Sequence, residues 1–162
     1  MTRRTAFPLI ALAIVTATAA FSSPTMFKSP PWISIESPVN PYDRDTRGAA
    51  MVIHATFREG NTQLSDLTGS AEGLVNGARR SIPLRFEATS RANVYALRRQ
   101  WPIEGAWLAR ISLVNTTAIV TMDQAGNVAS VRVPTEVTNG TPLPRPVSSR
   151  EIDSTLASVA RR

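Results

Sequence analysis

"TMDQAGNVASV", Thr121 to Val131, admits two readings. Asp123, Gly126 and Asn127 either hold a cation in an oxygen-lined loop or close a turn between two strands. A calcium loop of the helix-loop-helix type needs oxygen ligands at alternate positions, a central glycine and a distal glutamate. Here Ala125 stands where the second ligand belongs, and both flanks have strand rather than helix character. A turn accounts for each residue locally: Asp123 accepts from loop amides and Gly126 takes a left-handed conformation. The stretch is therefore expected to be a hairpin joining strands at 118–122 and 127–133, with Ala129, Val131 and Val133 on a common side.

The same grammar recurs toward the N-terminus. "VYALRRQWPIEGAWLARISL" (94–113) holds two more strands around Pro102 to Gly105. In the second, Trp107, Ala109, Ile111 and Leu113 form an apolar stripe opposite Arg110 and Ser112, the period of two that marks a half-buried strand. "LTGSAEGLVNGARRSIPLRFEAT" (67–89) places Asn76-Gly77 between extended runs, and Asn-Gly accepts positive φ at both central positions of a tight hairpin turn. Past that turn Ile82, Leu84, Phe86 and Ala88 share one face, while Pro83, which lacks an amide donor, assigns the run to a sheet edge or bulge. "GAAMVIHATFREG" (48–60) sets Met51, Ile53, Ala55 and Phe57 on a core face and Val52, His54, Thr56 and Arg58 on a wet one. Strands recur about every ten residues. That spacing predicts an all-β fold, an antiparallel β-sandwich of about seven strands spanning 32–137.

Both ends differ in character. Residues 1–20 carry two arginines, an apolar run from Ala6 to about Val15, and the small residues Ala17-Thr18-Ala19, the order of a secretory signal peptide. The apolar run is shorter than the ~20 residues that span a bilayer, so cleavage after Ala19 or Ala20 and a periplasmic or secreted location are expected. Residues 21–31 form a proline-rich tether. After the sandwich, Pro142, Pro144 and Pro146 predict a stiff linker over 138–147. Residues 148–162 then form a short amphipathic helix, with Ser148 and Glu151 at capping-box spacing and Ile152, Leu156 and Val159 on one face. Such a helix is marginal alone. Its docking site, whether its own domain, a partner or a membrane surface, is left open.

Composition removes several chemistries. The chain has 162 residues and no cysteine, so disulfides, thiolate metal sites and cysteine nucleophiles are out. It has one histidine, His54, on the expected wet face. A Ser-His-Asp relay would need it beside a serine and a carboxylate, and imidazole-rich metal sites need more than one. The formal net charge is +6, and Lys28 is the one lysine among 18 basic residues. Those charges are scattered, with no interleaved aromatic platform, so no nucleic-acid partner is expected. Loss of the leader would also take Arg3 and Arg4.

"AIVTMDQAGNVASVRV" (118–133) resembles the final hairpin of bacterial immunoglobulin-like domains, which often end in an Asp-x-x-Gly-Asn turn followed by alternating valine and serine. "VYALRRQWPIEGAWLARISL" is similar to the tyrosine, proline-x-x-glycine, tryptophan arrangement of extracytoplasmic modules of the YtkA-like type. The resemblance implies an Ig-like sandwich. Some members of that group are linked with copper handling, but Met26, Met51 and Met122 are scattered and His54 is single, so no metal or cofactor is carried over.

No catalytic grouping is expected. Glu72, Glu87 and Glu104 could serve glycoside chemistry only as a close pair, and no spacing brings two together. The ligand-binding candidates are Trp32, at the domain entrance, and Trp101, before Pro102, since exposed indoles give large contact area; Trp107 lies on the apolar stripe and belongs to the core. The function expected is an exported, non-enzymatic Ig-like module that binds or scaffolds an envelope protein or polysaccharide. Contact with a membrane would come only through an uncleaved leader or the C-terminal helix. A carbohydrate-binding module using those tryptophans is the alternative, with a small secreted enzyme third.

Overall fold

The computed structural model describes residues 30–56 and 66–161. The expected leader, the tether up to residue 29, and Phe57 and Arg58 lie outside the described residues. Eleven strands and one helix follow in order: β1 (Trp32–Glu36), β2 (Met51–Thr56), β3 (Leu67–Val75), β4 (Ala78–Pro83), β5 (Glu87–Ala88), β6 (Val94–Leu97), β7 (Ala106–Leu113), β8 (Thr116–Met122), β9 (Val128–Arg132), β10 (Thr135–Thr138), β11 (Thr141–Pro144) and α1 (Ser149–Val159). A four-stranded sheet in the order β1-β2-β6-β5 faces a five-stranded sheet in the order β4-β3-β7-β8-β9, and β10 and β11 pair separately. Every pairing is antiparallel. The chain is an all-β sandwich with one short helix.

Period-two alternation builds the core. Met51, Ile53, Tyr95 and Leu97 from the first sheet meet Ala71, Trp107, Ala109, Ile111, Leu113, Ala118, Val120 and Met122 from the second. Ala71, Ala109 and Val120 are cross-strand neighbours, and small residues at mid-sheet leave room for Trp107 and Trp101 in the same cluster. Close-packed interiors require such pairing of large with small.

The strand count exceeds the expected seven, partly because one expected run is two strands. β4 ends at Pro83 in one sheet and β5 begins at Glu87 in the other, so residues 84–86 cross between sheets. Leu84 and Phe86 enter the core on the way, whereas Ala88 is exposed. Gln100 supports the crossing: its side-chain amide accepts from the Arg85 N–H at 3.0 Å and donates to the Arg85 carbonyl at 2.8 Å. A side chain thus replaces a strand partner for backbone groups outside any ladder.

Three further expectations are corrected. Val52 is fully buried rather than wet. Register places it beside Ala96, also fully buried, on the outer face of the first sheet. The loop between β1 and β2 is pinned toward β5 and β6 by Arg91 to Asp43, the Ser90 amide to Asp45 and Arg98 to the Arg47 carbonyl, and Thr46 on that loop is fully buried. Residues 138–147 are not merely a linker, since Thr141–Pro144 pairs with Thr135–Thr138 across the Asn139-Gly140 turn. Prolines fit there because a two-stranded hairpin has no interior strand.

The last correction concerns the β8–β9 hairpin, where a bulge sets Met122 opposite Val128 and Thr121 opposite Ser130. Ala129 is the extra residue, and Val128 rather than Ala129 packs against the core. A bulge of this kind re-aims the side chains at a strand end.

The C-terminal helix docks on its own domain. Ser148 caps it, its side chain accepting from the Glu151 amide at 3.2 Å. Ile152 and Leu156 then pack on Leu108 and Ile119, which point out of the sandwich. Burial of each helix side chain contributes roughly 1.5–3 kcal/mol. Glu151 joins the helix to Arg145 and Arg132, and Asp153 pairs with Arg79 on β4.

Candidate functional site

The Asp123–Asn127 segment is a closed turn. The Asp123 amide donates to the Asn127 carbonyl at 2.9 Å, and the Gly126 amide to the Asp123 carbonyl at 3.0 Å. Asp123 Oδ1 accepts from the Asn127 amide at 2.8 Å and Oδ2 from Asn127 Nδ2 at 3.3 Å. Gly126 has φ 85°, as the left-handed position requires. The Asn127 amide, together with the other turn amides, holds the Asp123 carboxyl below the ordinary carboxylate range, so it is ionised at neutral pH.

Arg99 fixes this turn to the rest of the sandwich. Its guanidinium donates to the carbonyls of Trp101 (3.2 Å), Pro102 (3.1 Å) and Ala125 (3.3 Å). It also lies against Gly126, where a Cβ would come within 2.6 Å of Nη1. The β6–β7 loop and the β8–β9 turn are therefore held together through one side chain.

An open groove of about 780 Å³ is formed where these loops meet the end of α1. Leu74 and Gly77 come from the β3–β4 hairpin, and Ile103 and Gly105 from the β6–β7 loop. Met122 to Ala125, Ala129, Val159 and Ala160 complete most of the wall. Small residues create the space, and the bulge at Ala129 turns that methyl toward it. Ile103 is 73% exposed, an unusual position for an isoleucine on a loop held this firmly. The polar groups on the wall are Asp123 and Gln124. A second cleft of about 400 Å³ lies on the other side of the turn, lined by Ser37, Pro38, Arg47 and Ala50 with Gly126 and Asn127. The volume of the larger groove suits a small ligand or a few residues of peptide.

The two sequence candidates are separated. Trp32 is 59% exposed at the start of β1, whereas the clefts lie beyond that strand's other end. Trp101 is 4% exposed and part of the core. Its ring closes the loop end of the sandwich, which removes it as a stacking surface, and its Nε1 finds no protein acceptor. Trp107 is in the core as expected, with Nε1 donating to the Glu104 carbonyl at 2.8 Å. His54 is half-exposed and bonds Glu36 at 3.0 Å across neighbouring strands.

The three carboxylates occupy distinct settings. Glu72 is buried and accepts from Ser70 (2.6 Å), Ser81 (3.0 Å) and Arg79 (3.1 Å). Burial pushes its pKa up, but these hydrogen bonds together outweigh burial and leave it lowered. Glu87 pairs with Arg98 at the surface, and Glu104 is exposed beside Ile103. Among the described residues, no group of three or more histidine, aspartate or glutamate side chains is arranged to hold a metal.

Sequence reasoning did not single out Arg99, Ile103 or the end of α1. Ile103 carried a signal, since it falls between Pro102 and Gly105, outside any strand alternation. Among the described residues no helix is long and apolar enough to cross a membrane. Comparison with family models, curated proteins and solved structures gives no match to this chain.

Proposed function

We propose that this chain is an exported, non-enzymatic Ig-like module that binds another component of the cell envelope at the loop-end groove. The observation that carries the reading is an open, mostly apolar groove built from three loops and a helix end, with Ile103 presented to solvent at its rim. Exposed apolar surface on a firmly held loop marks an interaction site more often than a scattered surface residue does. The leader-like N-terminus supports placement in the envelope. The function rests partly on fold analogy, which by itself does not specify activity.

Capture from the native envelope fraction tests it, using wild type and Ala129→Trp. Ala129 is exposed and lines the groove, so the indole fills the space without entering the core. A component retained by wild type and lost with Ala129→Trp supports the reading, and identical retention by both overturns the groove as the binding surface. N-terminal sequencing of protein from the envelope fraction tests export; cleavage after Ala19 or Ala20 is expected.

Trp32 supports a second reading, a polysaccharide-binding module, because its indole remains exposed on β1. Indole fluorescence of wild type that responds to a polysaccharide, with the response lost in Trp32→Ala, is the outcome this reading requires.

A further inference from the structure

We propose that the occupant of the loop-end groove is an extended apolar peptide segment carrying a lysine or arginine. This rests on the groove being the binding surface, and adds the chemistry of what it takes. The walls supply apolar contact through Leu74, Ile103, Met122 and Val159, which suits aliphatic side chains rather than a sugar.

Negative features converge on the groove. Asp123 is on the wall, ionised and exposed, and each of its oxygens accepts one hydrogen bond within the turn, leaving acceptor capacity on both. Glu104 is exposed between the lining residues Ile103 and Gly105. Val159 and Ala160 bring the C-terminal end of α1 to the wall, and the last turn of that helix has no basic side chain. Helix C-termini carry partial negative charge from their free carbonyls and favour cations nearby.

The nearby cations do not neutralise this arrangement. Arg99 lies behind the turn with its guanidinium committed to three carbonyls, and Arg161 is exposed beyond the helix end. The chain as a whole carries +6, so the preference for a cation is local to the groove. A negatively charged partner would be drawn elsewhere on the surface.

Fluorescence anisotropy with a defined peptide set tests the proposal. The probe is a labelled octapeptide of alternating leucine and alanine with one central lysine, alongside the same peptide with norleucine or glutamate at that position. The full chain is expected to bind the lysine peptide about tenfold tighter than the glutamate peptide at low salt, with the gap narrowing at high salt. Glu104→Lys should reduce or invert that preference, and Ala129→Trp should weaken all three peptides. Melting temperatures of both variants, matched to wild type, exclude misfolding as the cause; if Glu104→Lys fails this control, Glu104→Gln replaces it. Equal affinity for the three peptides, or binding untouched by Ala129→Trp, overturns the proposal. If the peptides fail while envelope capture still depends on Ala129, the groove stands and the cation preference falls. Loss of both removes the groove reading as well.

Discussion

The indole of Trp107 rests on the backbone of Gly73, its direct partner across β3 and β7. A Cβ placed on Gly73 would come within 2.5 Å of two ring carbons, so the absence of a side chain is what seats the ring. Gly73→Ala is expected to destabilise the fold by about 1–3 kcal/mol through overpacking. Gly77→Ala is the control: it has φ 77° but meets no atom within 4 Å, so its effect is confined to backbone strain of about 1–2 kcal/mol. Urea unfolding of both checks this, and a Gly73→Ala midpoint at the wild-type value would contradict the packing account.

Helix α1 is held by a small apolar contact rimmed by ion pairs. Leu156→Ala removes half of its buried pair and should cost about 2–4 kcal/mol of docking. Hydrogen exchange at residues 149–159 should rise well before exchange in β7 and β8. Equal acceleration throughout the domain would mean that the helix and sandwich open as one unit.

Acid should loosen the same region. Hydrogen bonding from Arg145 lowers the Glu151 pKa, with Arg132 adding to it, and Glu72 beneath is also lowered on balance. A carboxylate with a depressed folded-state pKa contributes stability above its unfolded value, and that contribution is lost as pH falls through the folded value. Stability should therefore hold near neutrality and decline below about pH 4.5. Substituting Glu72→Gln together with Glu151→Gln should lower stability at pH 7 and flatten the acid decline. Chemical denaturation across that range reports both, and an unchanged acid slope would reject these two groups as its source.

Glu72 alone has a separate cost. Its carboxylate collects Ser70, Ser81 and Arg79 in a buried setting, so Glu72→Gln at neutral pH should destabilise by about 1–3 kcal/mol. Ser81→Ala, which removes one donor from a group with two others, should have a smaller effect. Thermal melts rank the two, and the reverse order would place the stabilisation on Ser81.

At the β8–β9 turn, Gly126→Ala introduces a Cβ at positive φ against Arg99. The melting temperature should fall, and Arg99 should release the Ala125 carbonyl. Calcium should leave the wild-type melting temperature unchanged, because Asp123 Oδ1 and Oδ2 serve the turn's own donors. A calcium-dependent rise would return the stretch to a metal site.

Alternation and turn chemistry made most of the sandwich legible. Asn76-Gly77 and Asp123 to Asn127 are turns because their local geometry demands such residues, and the stripe from Trp107 to Leu113 faces the core because period two permits little else. Trp101 shows the limit of that reasoning. A residue beside a proline in a loop has no periodic face, and its burial follows from how the β6–β7 loop folds over the sheet ends.

Local patterns thus specified the compact all-β character, the turns and the amphipathic C-terminal helix, all properties carried within a few neighbouring residues. Tertiary packing settled which surface the helix covers, where Pro83 sends the chain between sheets, and that Val52 is shielded on the outer face. It also assembled the groove, whose walls come from residues as far apart as Leu74 and Ala160. Such a surface has no signature along the chain, because its apolar and acidic parts become neighbours only when the two sheets and the helix have packed.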